Sequence, residues 1–228
     1  MKKYSLAAIA LACGVLTMQA QAQNSTLPPP TSGEYVWNEM QAEKLQALRA
    51  QGDRLRGEIA FEICQGCHRA GALGREDGSY PRLAGQHDTV LIKQMTDVRA
   101  GRRSNPKMLP FIDKHAITPQ EIADIAVYLQ DLPVPDNNGK GPGNDLVRGK
   151  KLYENDCAAC HGDKGEGNAG EFYPRVSGQH YAYLLREAKD IRDGIRLNAN
   201  PKMMRNIKSY SDADIAAVSD YMSRFPVP

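Results

Sequence analysis

The sequence predicts an all-α chain built from two tandem units. Three observations carry that prediction. Apolar residues recur at helical spacing behind capping-box-like starts. No segment sustains the period-2 alternation of a half-buried strand. The same motifs also return at a fixed offset of 93 residues over most of each half, which marks a duplication.

The first element, residues 1–22, reads as an export leader. Lys2 and Lys3 form a basic start, residues 4–18 are largely apolar, and Ala20-Gln21-Ala22 is an A-x-A cleavage site. The apolar run is too short for a membrane span. A weaker alternative is lipid anchoring at Cys13, within Leu11-Ala12-Cys13-Gly14, although Ala10 stands where Leu is usual. The chain of 228 residues has 29 Lys and Arg against 27 Asp and Glu. Lys2 and Lys3 account for that excess, so the mature chain is balanced, which argues against nucleic-acid binding driven by net charge.

Residues 23–53 form an N-terminal extension that opens on Pro28-Pro29-Pro30 and is expected to be extended at its start. A helix is expected to begin near Trp37 and run towards Cys64. The first unit spans 54–130, a linker rich in Pro, Gly and Asn spans 131–146, and the second unit spans 147–228. Gly57 with Phe61, and Gly149 with Tyr153, set a small residue one turn from an aromatic, which would let another helix approach closely. Middle helices are expected near 88–100 and 181–193, with Gly101 and Gly194 suited to end them. Final helices start at Thr118-Pro119-Gln120-Glu121 and Ser211-Asp212-Ala213-Asp214.

Five cysteines are present, and Cys13 lies in the leader. The other four fall in two identical frames, Cys64-Gln65-Gly66-Cys67-His68 and Cys157-Ala158-Ala159-Cys160-His161. Cys-x-x-Cys-His is the attachment signature of a c-type haem. Cys64 and Cys67, and Cys157 and Cys160, would each bond the vinyl groups of one porphyrin, and His68 and His161 would supply the axial imidazoles. Disulfides would not require the His, a thioredoxin-like motif needs a βαβ setting, and structural zinc needs a fourth ligand in each half. Two covalently attached haem c groups are therefore expected.

A second axial ligand is offered by Asn105-Pro106-Lys107-Met108 and Asn200-Pro201-Lys202-Met203, read as two loops. The offset widens here to 95, so the second segment carries two extra residues before its Met. Met108 and Met203 are the expected ligands, with Met204 the alternative to Met203. His87 and His180 repeat as well and are the rival ligands, although their positions at helix starts suit capping, a propionate contact or a surface role better. His115 has no counterpart and reads as a surface residue. With His and Met on each iron, no open position remains, and outer-sphere transfer of single electrons is the expected chemistry.

The two pentads, the doubled Tyr-Pro-Arg-x-x-Gly-Gln-His segments (residues 80–87 and 173–180) and the Met-bearing segments resemble the dihaem cytochrome c4 family over roughly residues 54–225. The resemblance implies two tandem class I cytochrome c domains, each wrapped around one haem. It implies a periplasmic shuttle between redox proteins, with a dehydrogenase or quinol-oxidising complex as donor and a terminal oxidase as acceptor. It also implies that Pro81 and Pro174 support the proximal imidazoles, and that Tyr80, Arg82, Tyr173 and Arg175 are candidates for propionate contacts. Residues 34–53 depart from the family pattern and read as a solvated extension rather than a partner-docking helix. An electron-accepting subunit of one dehydrogenase is the alternative function. A dihaem enzyme is less favoured: a Cys-ligated site would need a spare cysteine, and the mature chain has none.

Overall fold

Side chains that bond their own backbone mark where the final helices begin. Thr118 accepts from the Glu121 N–H while the Glu121 carboxylate accepts from Thr118, and Ser211 and Asp214 do the same. Each reciprocal pair satisfies donors that a helix start otherwise leaves free. The computed structural model describes residues 36–37, 39–40 and 42–227, together with residue 1. Cys13, the expected cleavage site and Pro28 to Pro30 lie outside the described residues. The helices are α1 (Ala42–Arg49), α2 (Arg54–Phe61), α3 (Gln65–His68), α4 (Asp88–Arg99), α5 (Leu109–Ile112), α6 (Pro119–Gln130), α7 (Leu146–Asp156), α8 (Ala158–His161), α9 (Tyr181–Arg192), α10 (Pro201–Ile207) and α11 (Asp212–Ser223). Among the described residues there is no strand, only one antiparallel bridge between Asn168 and Tyr173.

Each half has its own apolar core. The first gathers Phe61, Leu91, Ile122, Ile125 and Leu129, and the second Tyr153, Leu184, Ile191, Ile215 and Val218. α2 crosses α6 at Gly57, where a Cβ would lie 2.0 Å from the Asp124 carbonyl oxygen. α7 crosses α11 at Gly149 in the same way, 2.2 Å from the Ala217 oxygen.

The helix expected from Trp37 towards Cys64 is in fact two. Gln51 and Gly52 break it, and Asp53 restarts it as α2 by accepting from the Arg56 N–H. Nor are the described residues of 36–50 a solvated extension. Ala47 and Lys44 of α1 are buried against the first unit, and Glu43 pairs with Arg99 at 3.0 Å. Trp37 donates from Nε1 to the Glu171 carbonyl, stacks on Tyr173 at 6.4 Å, and receives Lys93 Nζ 4.0 Å from its ring centroid. The segment is therefore packed across both units. The connection between α6 and α7 is also tied down. Arg82 donates to Pro135 O and Asn137 Oδ1, and Asn138 Nδ2 donates to the carbonyls of Gln179 and Ser223.

The two units meet about a pseudo-two-fold axis, which the pairing of the contacts reveals. Gln86 brackets the main chain of Arg175, accepting its N–H and donating to its carbonyl. Gln179 brackets Arg82 identically, all four distances being 2.9 Å. His87 Nε2 lies 2.8 Å from Glu166 O, and His180 Nε2 lies 2.7 Å from Leu73 O. All these partners are related by the offset of 93, as an isologous contact requires. His87 and His180 occupy N-cap positions without capping by their side chains. They are cross-unit fasteners: main chain occupies Nε2 of His87 and both ring nitrogens of His180. His180 is buried, accepting the Gly139 N–H on Nδ1, so its Nε2 must carry the proton donated to Leu73.

Candidate functional site

α8 follows α7 directly and presents the second pentad on a single turn, so Cys157 and Cys160 share a face and His161 enters the core. His161 Nδ1 donates to the Pro174 carbonyl at 2.9 Å. A carbonyl can only accept, so Nδ1 holds the proton and Nε2 keeps a lone pair for a metal. Burial lowers the His161 pKa against the opposing pull of Pro174, which keeps the ring neutral. His68 is lowered by burial too, and the Pro81 carbonyl opposes the shift. Its Nδ1 sits near that carbonyl but outside hydrogen-bonding geometry.

The four cysteines are half-buried and none is paired in a disulfide. Burial pushes Cys64 up to about 11 and Cys157 up to about 12. Tyr80 lies beside Cys67, which raises the tyrosine's pKa, and stands edge-on to the His68 ring at 5.9 Å. Tyr173, its pKa raised first by burial, places its hydroxyl at Cys160. Both tyrosines therefore lie at the thiol edge of their pentads.

Met108 packs half-buried on the first core, where Asn105 accepts its N–H at 3.2 Å and sets Nδ2 3.9 Å from its sulfur. Met203 and Met204 both pack on the second core. This second segment was expected to be a loop. Instead Asn200 caps it by accepting from the Lys202 N–H, Pro201 takes the first helical position, and Met203 lies within α10. Arg82 and Arg175 each bury an Nε without an acceptor, and burial lowers both pKa values. A carboxylate such as a propionate suits these leftover donors.

The residues present fit a haem in each half: a pair of thiols, a neutral imidazole, a thioether on the same core and a buried cationic donor. Fold and sites together define a c-type cytochrome of two domains. The family model described as cytochrome c matches residues 55–133 and 146–225. Cytochrome c4 of Pseudomonas aeruginosa is 35% identical over 182 residues, covering 76% of this chain and 89% of that protein. A protein of Stutzerimonas stutzeri named thiosulfate dehydrogenase electron acceptor is 32% identical over 193 residues, covering 78% and 88%. The crystal structure of reduced cytochrome c4 from Pseudomonas stutzeri matches with a TM-score of 0.67 and 28% identity, over 75% of this chain and 98% of that one. This chain belongs to the dihaem cytochrome c4 family and carries two covalently bound haem c groups at Cys64/Cys67 and Cys157/Cys160. It is an electron-transfer cytochrome.

Sequence reasoning weighed His87 and His180 for other roles and missed that they, with Gln86 and Gln179, form the contact between the units. Their signal was available. A polar motif repeated outside the attachment frames is what a two-fold contact between duplicated units demands. Trp37 had no such signal, because its role depends on contacts with both units.

Proposed function

We propose that the protein is an exported, periplasmic carrier of single electrons, taking them from a dehydrogenase or quinol-oxidising complex and passing them to an acceptor such as a terminal oxidase. His68 with Met108, and His161 with Met203, would hold the irons of the two haems, and Arg82 and Arg175 would offer Nε to their propionates. Each haem supplies one-electron redox chemistry at its iron. The chain's part is to hold both axial donors so that little rearranges on electron transfer. The observation that carries this reading is the His161 Nδ1–Pro174 contact, which leaves a neutral Nε2 donor in a core shared with a thioether. Export is supported by the basic, apolar and A-x-A order of residues 1–22. Among the described residues no helix is long and apolar enough to cross a membrane.

Service as the electron acceptor of one dehydrogenase is the second reading, favoured by the relative named for that role. A redox titration followed by absorption spectra tests the ligand reading. Two one-electron steps and a thioether-to-iron band in the oxidised protein are expected. Rapid cyanide binding by the resting protein would overturn it. Stopped-flow reduction by a thiosulfate dehydrogenase, set against reduction by a quinol-oxidising complex, separates the two donors.

A further inference from the structure

Between the two units a second set of polar contacts joins the stretches that lead to the Met-bearing segments. Arg103 Nη1 donates to Gln94 Oε1 of its own unit at 2.9 Å, and its Nη2 donates to Glu187 Oε2 of the other at 3.0 Å. Arg196 mirrors it, donating from Nη1 to Glu187 Oε2 at 2.8 Å and from Nη2 to Gln94 Oε1 at 3.1 Å. Gln94 and Glu187, and Arg103 and Arg196, are separated by the same 93 residues. The four side chains close a ring across the axis. Both pairs with Glu187 are well shielded, the side chains being 12 to 16% exposed.

The widened offset before Met203 has a use here. Asn198 lies in the stretch that holds the extra residues, is fully buried, and donates from Nδ2 to Gln94 Oε1 at 3.0 Å and Asp97 Oδ2 at 2.9 Å. Asp97 in turn receives Arg102 at 3.2 Å and Lys93 at 2.5 Å, and its carbonyl accepts the N–H groups of Arg102 and Arg103. The chain entering the Met108 segment and the chain entering α10 are therefore anchored on the same two side chains of α4. Ion pairs shielded from water lose far more on truncation of one partner than exposed ones do.

We propose that Gln94, Glu187, Arg103 and Arg196 are positioning residues that fasten the two Met-bearing segments to each other, so that retention of the sulfur ligand in one unit depends on side chains of the other. This rests on Met108 and Met203 being the axial ligands. The test separates that premise from the proposal. In the matured full chain, Met108→Ala should remove about half of the thioether-to-iron band; loss of none would refute the ligand reading and leave the clasp without its object. In that background the remaining band reports the second unit alone. Adding Gln94→Ala, a change in the first unit, should lower the urea midpoint for loss of that band by about 1 M. Far-UV circular dichroism on the same samples should fall by distinctly less. Gln94→Glu keeps the acceptor and should restore the midpoint. A band midpoint that does not move, or that moves only together with the helix signal, would overturn the proposal.

Discussion

Replacing Gly57 with Ala inserts one methyl group where two helices cross without side chains between them. That Cβ would stand 2.0 Å from the Asp124 carbonyl oxygen, 2.5 Å from its carbon and 2.8 Å from Tyr128 Cβ, where ordinary contact begins at 3.4 Å. α2 and α6 would have to part by about 1.4 Å, the difference between those two distances. Two of the three obstructions are backbone, and the Asp124 side chain is fixed by Arg56 and by the Asp53 N–H, so neither helix can yield locally. Overpacking of this kind costs about 1–3 kcal/mol, and the upper end applies here. The better helix propensity of Ala returns up to about 1 kcal/mol. A net loss of about 2 kcal/mol should lower the melting temperature of the unit by roughly 10 °C. The assay is thermal unfolding of the matured protein by circular dichroism, with Gly66→Ala as reference. Gly66 meets nothing within 4 Å, and Ala159 already stands at the matching place in the second unit. Gly57→Ala within about 0.5 kcal/mol of the parent, or Gly66→Ala equally damaging, would refute the close-crossing argument.

His180 gives a pH dependence. Burial, with Arg82 nearby, lowers its pKa in the folded chain, while the unfolded value is near 6.5. The unfolded state therefore binds the extra proton first, so stability is full above about pH 6.5 and falls as the pH drops from there towards the depressed folded value; urea midpoints between pH 5 and 8 should show this slope, and His180→Gln should flatten it. Gln179→Ala should destabilise by about 2 kcal/mol or more, because the buried N–H and carbonyl of Arg82 both lose their partner; Gln86→Ala should cost less, its Arg175 partner being only part-buried, and no loss at all in urea would speak against the two-fold arrangement. Trp37→Ala removes the cation–π contact with Lys93 and the stacking on Tyr173; a loss of about 2 kcal/mol and faster proteolysis at Arg49 are expected, and unchanged protection would mean that the segment is held by α1 alone.

Much of the fold can be read from local rules. The capping boxes at Thr118 and Ser211, the paired Gly57/Phe61 and Gly149/Tyr153, and Gly101 and Gly194 at positive φ after their helices are all short-range signals. Where the reading went astray, the deciding contacts were long-range. Nothing near Trp37 announces Glu171, and the break at Gly52 is set by Asp53 capping α2 while its N–H meets Asp124. The loop reading of the second Met segment overlooked that Asn200 and Pro201 are a cap and a first helical residue, the start of α10. The attachment frames were legible because covalent chemistry fixes their spacing, whereas Arg82 of the Tyr-Pro-Arg segment gives both of its Nη groups to the connection between the units.

The contacts of Trp37 are made only once. Gln86, Gln179 and the paired histidines treat the halves as equals, but the aromatic ring reaches from the amino-terminal side onto Glu171 and Tyr173, and among the described residues no twin reaches back. The molecule thus has a head and a tail. Its two ends differ to a protein approaching from outside, even though the interior is nearly symmetrical.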